Sequence, residues 1–217
     1  MNSKMSGQLI GLLRLIAAVA AFGTVYWQVS DRIAHGVFRP GEYWLYFSID
    51  TTVLAGIVLG WSAISTLRVR PESRVLTLAR LTLVATDSIV GIVYNLLLRG
   101  APNDARDGNY AWPVLPNELM HVWIPVIVAL DFLLVSYGTQ LRIRAAGWML
   151  IYPMAWLAMT MAHGLASGWW PYWFLNPTGD GGWGTVGEYI GIIIVLGVGL
   201  AALMLVIART TAKLKTL

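Results

Sequence analysis

Residues 116–135 read PNELMHVWIPVIVALDFLLV. As a helix at 1.5 Å per residue this stretch is about 30 Å long, enough to cross the hydrocarbon of a bilayer. His121 stands about six residues inside it. An ionisable side chain at that depth is costly to place, so it marks a candidate functional site with a partner to be sought on another helix.

The rest of the chain reads the same way. Of 217 residues, 57% are hydrophobic and only 12% charged. A soluble domain of this size needs more polar surface than this. The charges fall between long apolar runs, which is the pattern of a polytopic helical membrane protein. Six spans are expected, at about 8–29, 43–66, 76–98, 116–137, 148–167 and 185–208, in a single all-α domain over 1–217. The short alternating segments of a membrane β-barrel are absent from the sequence. The first run follows Lys4 but continues into Tyr26, Trp27 and Gln28 without a small-residue cleavage site. It reads as a retained helix, not a signal peptide.

Lysine and arginine give the orientation. Lys4, Arg68, Arg70, Arg74, Arg142, Arg144, Arg209, Lys213 and Lys215 fall on one side, against Arg32, Arg39, Arg99 and Arg106 on the other. The richer side is expected to be cytoplasmic, with both termini there. The net charge of +4 reflects that bias and attraction to anionic lipid, and requires no nucleic-acid partner. With no cysteine, thiol catalysis and disulfides are excluded. GDGGWG at 179–184 lacks the lysine and preceding strand of a phosphate-binding loop, and reads as a turn. No metal or cofactor motif stands out.

Alternating helix direction sorts polar residues by depth. Ser48 lies about five residues into the second span, or roughly 8 Å deep at 1.5 Å per residue. Asn95, His121 and His163 fall in the same outer layer. Ser48, Thr51 and Thr52 share a helix face, as do Asn117, Glu118 and His121. Asp50 points away from Ser48. Asn117 or Glu118 is placed to orient the imidazole. Helix-end amides or Asn95 are candidate oxyanion donors. Serine and threonine in such helices commonly bond to a carbonyl of their own helix or to a neighbouring helix, which is the plain reading of Ser48, Thr51 and Thr52 alike. Arg14 and Arg80 lie near the ends of their spans and are expected to snorkel to the headgroups. Asp87 and Asp131 lie deeper, as proton-relay groups or paired structural carboxylates. The aromatic stretch Gly168 to Pro177, G-W-W-P-Y-W-F-L-N-P, suits an interfacial belt or a lid over a cavity. Thr52, His163, Trp170 and Tyr172 are therefore candidate pocket residues.

Four motifs then occur in order: Phe47-Ser48-Ile49-Asp50-Thr51-Thr52; Asn117-Glu118-Leu119-Met120-His121 with Pro125 and Asp131; Tyr152-Pro153; and Gly168-Trp169-Trp170-Pro171-Tyr172-Trp173-Phe174-Leu175. Their order and spacing over nearly the whole chain resemble the six-helix family of androgen-induced and androgen-dependent TFPI-regulating proteins and their bacterial relatives. The resemblance implies an intramembrane hydrolase of fatty acid esters of hydroxy fatty acids, with a hydroxyl nucleophile at Ser48 and a base at His121. It implies no cofactor, a fatty-acyl ester as the partner, and a bacterial inner membrane as the location. Three other classes remain open on the residues alone. One is haem ligation by His121 and His163. The second is proton-coupled transport through Asp87 and Asp131, and the third a non-catalytic lipid-binding scaffold. Oligomeric state is not legible.

Overall fold

The computed structural model describes residues 3–135 and 141–214, with side chains from 5 to 134 and from 141 to 210. The expected end of the fourth span at 136–137, and Lys215, lie outside the described residues, as do the side chains of Lys4 and Lys213. The fold is all-α, with no strand among the described residues. Six helices are long and apolar enough to cross a membrane. They are α1 (Ser3–Ala34), α2 (Phe47–Leu67), α3 (Arg74–Leu98), α4 (Val114–Leu134), α5 (Ile143–Ser167) and α6 (Gly182–Leu214).

The expected spans are recovered with shifted ends, and the shifts have local causes. The second begins at Phe47 instead of 43 because Pro40–Tyr43 forms its own helical turn, with Pro at its start. Tyr46 then adopts an extended conformation (φ −75°, ψ 119°) and re-starts the helix. The fifth begins as a 3-10 helix, Ile143–Leu150, and becomes α only at Ile151. Pro153 lacks the N–H that would bond to the Met149 carbonyl, so the regular ladder starts late. Gly168 closes α5 at φ 75°, a left-handed cap that a Cβ would disfavour.

Small residues let α1 and α2 approach. Ala17, Ala18 and Ala21 of α1 face Ala55 and Ala63 of α2, all buried. Gly56 lies against the Phe22 ring, where a Cβ would come within 2.7 Å. Close backbone approach of this kind drives helix association where lipid supplies no hydrophobic contrast. α3 is central: Leu81, Leu83, Val84, Ala85 and Ile89 are buried between α2, α4, α5 and α6. The outward faces carry Leu12, Ile16, Val19, Trp123, Leu130, Val195 and Val206, all exposed. This is the surface of an integral membrane protein.

Two charged networks fasten opposite ends. On the side of the termini, Asp131 of α4 accepts from Arg14 of α1 at 2.7 Å and from Arg80 of α3 at 2.7 Å. Arg14 also reaches Thr66, and Arg80 reaches Glu72, each at 2.7 Å. The expectation that Arg14 and Arg80 snorkel is thus corrected. Both are buried, because Asp131 offers a charge partner nearer than the headgroups. Asp131 is the paired structural carboxylate of the two readings. Asp87 is also buried, and its Oδ2 has no hydrogen-bond partner.

On the opposite side, the 99–113 loop is clasped to the loop before α2. Arg106 bonds Glu42 and Asp104, and Arg39 bonds Glu42 and Asp107. Arg32 reaches Asp107 at 3.0 Å and lies over the Trp112 ring. Hydrogen bonds from Arg106 hold the Asp104 carboxyl well below the ordinary carboxylate value, outweighing burial. Burial alone would raise Glu42, but the hydrogen bonds from Arg106 and Arg39 bring it below its ordinary value.

Candidate active site

Two cavities meet inside the outer half of the bundle. The inner one is narrow, about 90 Å³, and almost wholly apolar. Its wall runs from Val90 and Val93 through Met154 and Leu157 to Met149, Ile193 and Gly197. The outer one is wider and polar, lined by Gln28, Asn103, Asp104, Asn117 and Asn176 among a set of tryptophans and tyrosines. Five residues line both: Ser48, Tyr94, Leu98, His121 and Tyr172. The serine and histidine singled out in the sequence therefore stand at the seam between an apolar pocket and a more polar vestibule.

The helix that carries His121 is not regular there. Leu119–Trp123 is a π turn, and Tyr94–Leu98 of α3 is another. Single π turns inside α-helices frequently occur at functional sites. Pro125 contributes to the first, since it has no N–H to offer the His121 carbonyl. Asn95 fills part of that gap from α3, its Nδ2 lying 3.4 Å from the His121 oxygen and 2.7 Å from that of Gly91.

The imidazole is fixed in three ways. Its Nδ1 is 2.8 Å from the Asn117 main-chain oxygen. A carbonyl only accepts, so Nδ1 carries the proton and Nε2 presents a lone pair. The ring stacks on Tyr94, with centroids 3.8 Å apart and planes at 16°. The Tyr94 hydroxyl in turn accepts from Asn117 Nδ2 at 2.5 Å. His121 is 8% exposed, and no hydrogen bond to its Nε2 occurs among the described residues.

Ser48 is the second residue of α2 and is likewise 8% exposed. Among the described residues no hydrogen bond joins its hydroxyl to His121. Catalytic contacts in an unliganded site commonly tighten only with substrate. Tyr172 lines both cavities with Ser48, and burial raises its pKa.

The other sequence candidates divide. Asn117 does orient the imidazole, through its main-chain oxygen. Glu118 does not: its carboxylate forms a two-pronged pair with Arg99 at 2.7 and 3.1 Å, because the end of α3 reaches it first. Asn95 lines neither cavity, so it braces His121 instead of donating to a bound oxyanion. Thr52 also lines neither; its hydroxyl bonds to the Ser48 carbonyl at 2.7 Å. His163 packs edge-on to Trp169 and is absent from both cavity walls, so it does not share a pocket with His121. Trp170 lines the vestibule, and its ring occupies the space that a side chain at Gly164 would need. Tyr172 lines both cavities, and the aromatic stretch around it walls them. Among the described residues no three His, Asp or Glu side chains converge as metal ligands.

Tyr94 and Asn117 side-chain pairing, and the floor formed by Met149 and Gly197, were missed in the sequence. The one available signal was Tyr94 preceding Asn95 at the depth of His121. Comparison of the chain with protein families, with curated proteins and with solved structures gives no match.

Proposed function

We propose that this chain is an intramembrane lipid-ester hydrolase, with fatty acid esters of hydroxy fatty acids as its substrate class. The observation that carries the reading is the seam: Ser48 and His121, with a bare Nε2, share the rim of an apolar pocket and a polar vestibule. The apolar pocket takes the acyl chain and the vestibule takes the alcohol part and water. The resemblance of the four ordered motifs supports the same chemistry, and a bacterial inner membrane as its place.

Ser48 Oγ attacks the ester carbonyl carbon while His121 Nε2 takes its proton. The carbonyl π electrons move to oxygen, giving a tetrahedral oxyanion. Its collapse breaks the C–O bond to the alcohol, which leaves with the proton from His121. Water from the vestibule then attacks the acyl-Ser48 ester, giving its proton to His121. Release of the acid returns that proton to Ser48. The Asn117 main-chain oxygen holds the ring in the tautomer that this sequence of transfers needs, and Tyr94 stacks on its face.

The test is hydrolysis of a panel of lipid esters, hydroxy-fatty-acid esters included, by purified protein in nanodiscs. Loss of general-base catalysis costs about 10²- to 10⁴-fold. Ser48→Ala and His121→Ala, both folded, are expected to lose turnover on at least that scale. Full turnover in both variants removes the Ser–His pair. Bound lipid without turnover by the wild type replaces the hydrolase with a lipid-binding scaffold.

A further inference from the structure

We propose that the lipid substrate enters sideways from the bilayer, through a window between α6 and the outer half of α5, while water reaches the site through the vestibule. The proposal rests on the hydrolase reading above and adds the route by which its substrate arrives.

The window follows from how α5 is built. α6 packs on the 3-10 segment Ile143–Leu150 and on α3. Along Ile151–Ser167 the two helices hardly approach each other. The change comes where Pro153 delays the α ladder and the helix alters its pitch. At the level of Met149 the helices still touch, and a Cβ on Gly197 would lie 3.1 Å from Met149 Cε. Nearer the outer surface the aromatic stretch bridges them again. Tyr189 of α6 meets the Trp173 ring at 5.1 Å and stacks on Phe174 at 5.3 Å. Tyr189 and Gly197 are about 12 Å apart along the helix at 1.5 Å per residue. Between these two levels Pro153, Met154 and Leu157 line one edge, and Ile190, Ile193 and Ile194 the other. Met154 is 42% exposed, the most exposed residue of the cavity wall, and the three isoleucines are partly exposed. The inner cavity therefore reaches the outside of the bundle at this gap.

Its place in the membrane decides what enters. Both edges belong to helices long and apolar enough to span the bilayer. Ile190 to Gly197 lies roughly 12–22 Å along α6 from Gly182 at 1.5 Å per residue, deep in the span, so hydrocarbon stands outside. All six edge residues are apolar, and an acyl chain passing between them exchanges one apolar surrounding for another. The same wall continues to Ser48 and His121, so a chain lying in the window brings its ester to the seam. The vestibule is a poor route for such a chain. Its rim carries Asn103, Asp104 and Asn176, and Trp169 Nε1 donates across it to Asp104 Oδ2 at 3.2 Å. To enter there the chain would first have to leave hydrocarbon for water, at a cost that grows with each methylene.

Met154→Trp narrows the window at its most exposed edge. Met159→Trp puts the same ring elsewhere on α5, at a residue that is 51% exposed and lines neither cavity. For both variants kcat/KM is measured in nanodiscs on acyl esters of several lengths, and on p-nitrophenyl acetate, which is soluble and arrives through the vestibule. Met154→Trp is expected to lower kcat/KM for every bilayer ester about tenfold relative to the acetate, because it slows association. The preferred chain length stays put, since a door delays all chains alike. Met159→Trp is expected to behave as the wild type. Equal losses on bilayer and soluble esters, a shift in preferred length, or the same loss in Met159→Trp overturns the route and leaves the hydrolase standing. So does a loss that follows a change of oligomeric state by native mass spectrometry, which would mean that a second copy covers the gap. A wild type inactive on every ester removes the hydrolase and the route together. Should Met154→Trp fail to fold, Met154→Ala decides. The widened window is expected to raise kcat/KM for bilayer esters and not for the acetate, and an unchanged ratio overturns the proposal.

Discussion

Asn95 Nδ2 lies 3.4 Å from the main-chain oxygen of His121, the carbonyl for which Pro125 provides no N–H. One helix thus completes the backbone of another at the histidine of the candidate site. The brace is long for a hydrogen bond, and its donor is shared with Gly91. Its loss is expected to be felt as looseness at His121, not as collapse of the bundle.

Asn95→Ala leaves the His121 carbonyl short of a donor, at a cost of about 1 kcal/mol. Turnover is expected to fall about fivefold if that energy is lost from the transition state. Asn95→Asp keeps the shape but replaces the donor with an acceptor, and is expected to be worse than Asn95→Ala. Steady-state kinetics with thermal unfolding of the same samples checks the order.

Asp131→Asn opens the network on the side of the termini. It leaves Arg14 and Arg80 buried with a weakened partner. Removing one member of a buried ion pair costs about 3–5 kcal/mol. A large drop in unfolding temperature is expected, with kcat per folded molecule nearly unchanged because Asp131 lines neither cavity. Equal loss of stability and of kcat would tie the two ends of the bundle together.

The clasp on the opposite side has a defined pH response. The pKa of Asp104 is lowered in the folded protein, so its ion pairs stabilise the fold above its ordinary value of 3.8. That contribution shrinks as pH falls below 3.8 and is gone once the folded-state pKa is passed. The unfolding-temperature gap between wild type and Asp104→Asn is expected to be present at pH 7 and to close as the pH falls below 3.8. A gap that widens on acidification would contradict the sign.

Gly197→Val fills the floor of the inner cavity. A Cβ there comes within 2.8 Å of Ile89 Cδ1 and 3.1 Å of Met149 Cε, both flexible side-chain ends. The helix should persist while the pocket shortens. Each methylene no longer buried is worth about 0.8 kcal/mol, or roughly fourfold in kcat/KM. The preferred acyl chain is expected to shorten, read from kcat/KM over an ester series. An unchanged profile would place the chain elsewhere.

The six helices were legible because lipid imposes a length and a composition that letters report directly. Their ends were less so: Pro40 and Pro153 re-start helices through missing N–H groups, and the effect depends on the surrounding turns. His121 stood out because an imidazole at depth is rare. Asn117 was legible as its orienter, but the contact uses the main-chain oxygen, which every residue has. Glu118 shared the right face and was claimed by Arg99 from another helix, a pairing that periodicity cannot see. Arg14 and Arg80 illustrate the same limit. A snorkelling arginine and an arginine paired across helices have one sequence signature, and only packing separates them.

The contact between Gly164 and Trp170 bears on how this chain tolerates variation. The indole lies so close that a Cβ at 164 would come within 2.4 Å of it. Positions 164 and 170 therefore behave as one locus. A larger residue at 164 is compatible only with a smaller one at 170, and a bulky ring at 170 requires glycine at 164. A mutational library that varies position 164 alone will record intolerance there. One that varies both positions jointly will recover the permitted combinations, and with them the alternative shapes this wall of the vestibule can take.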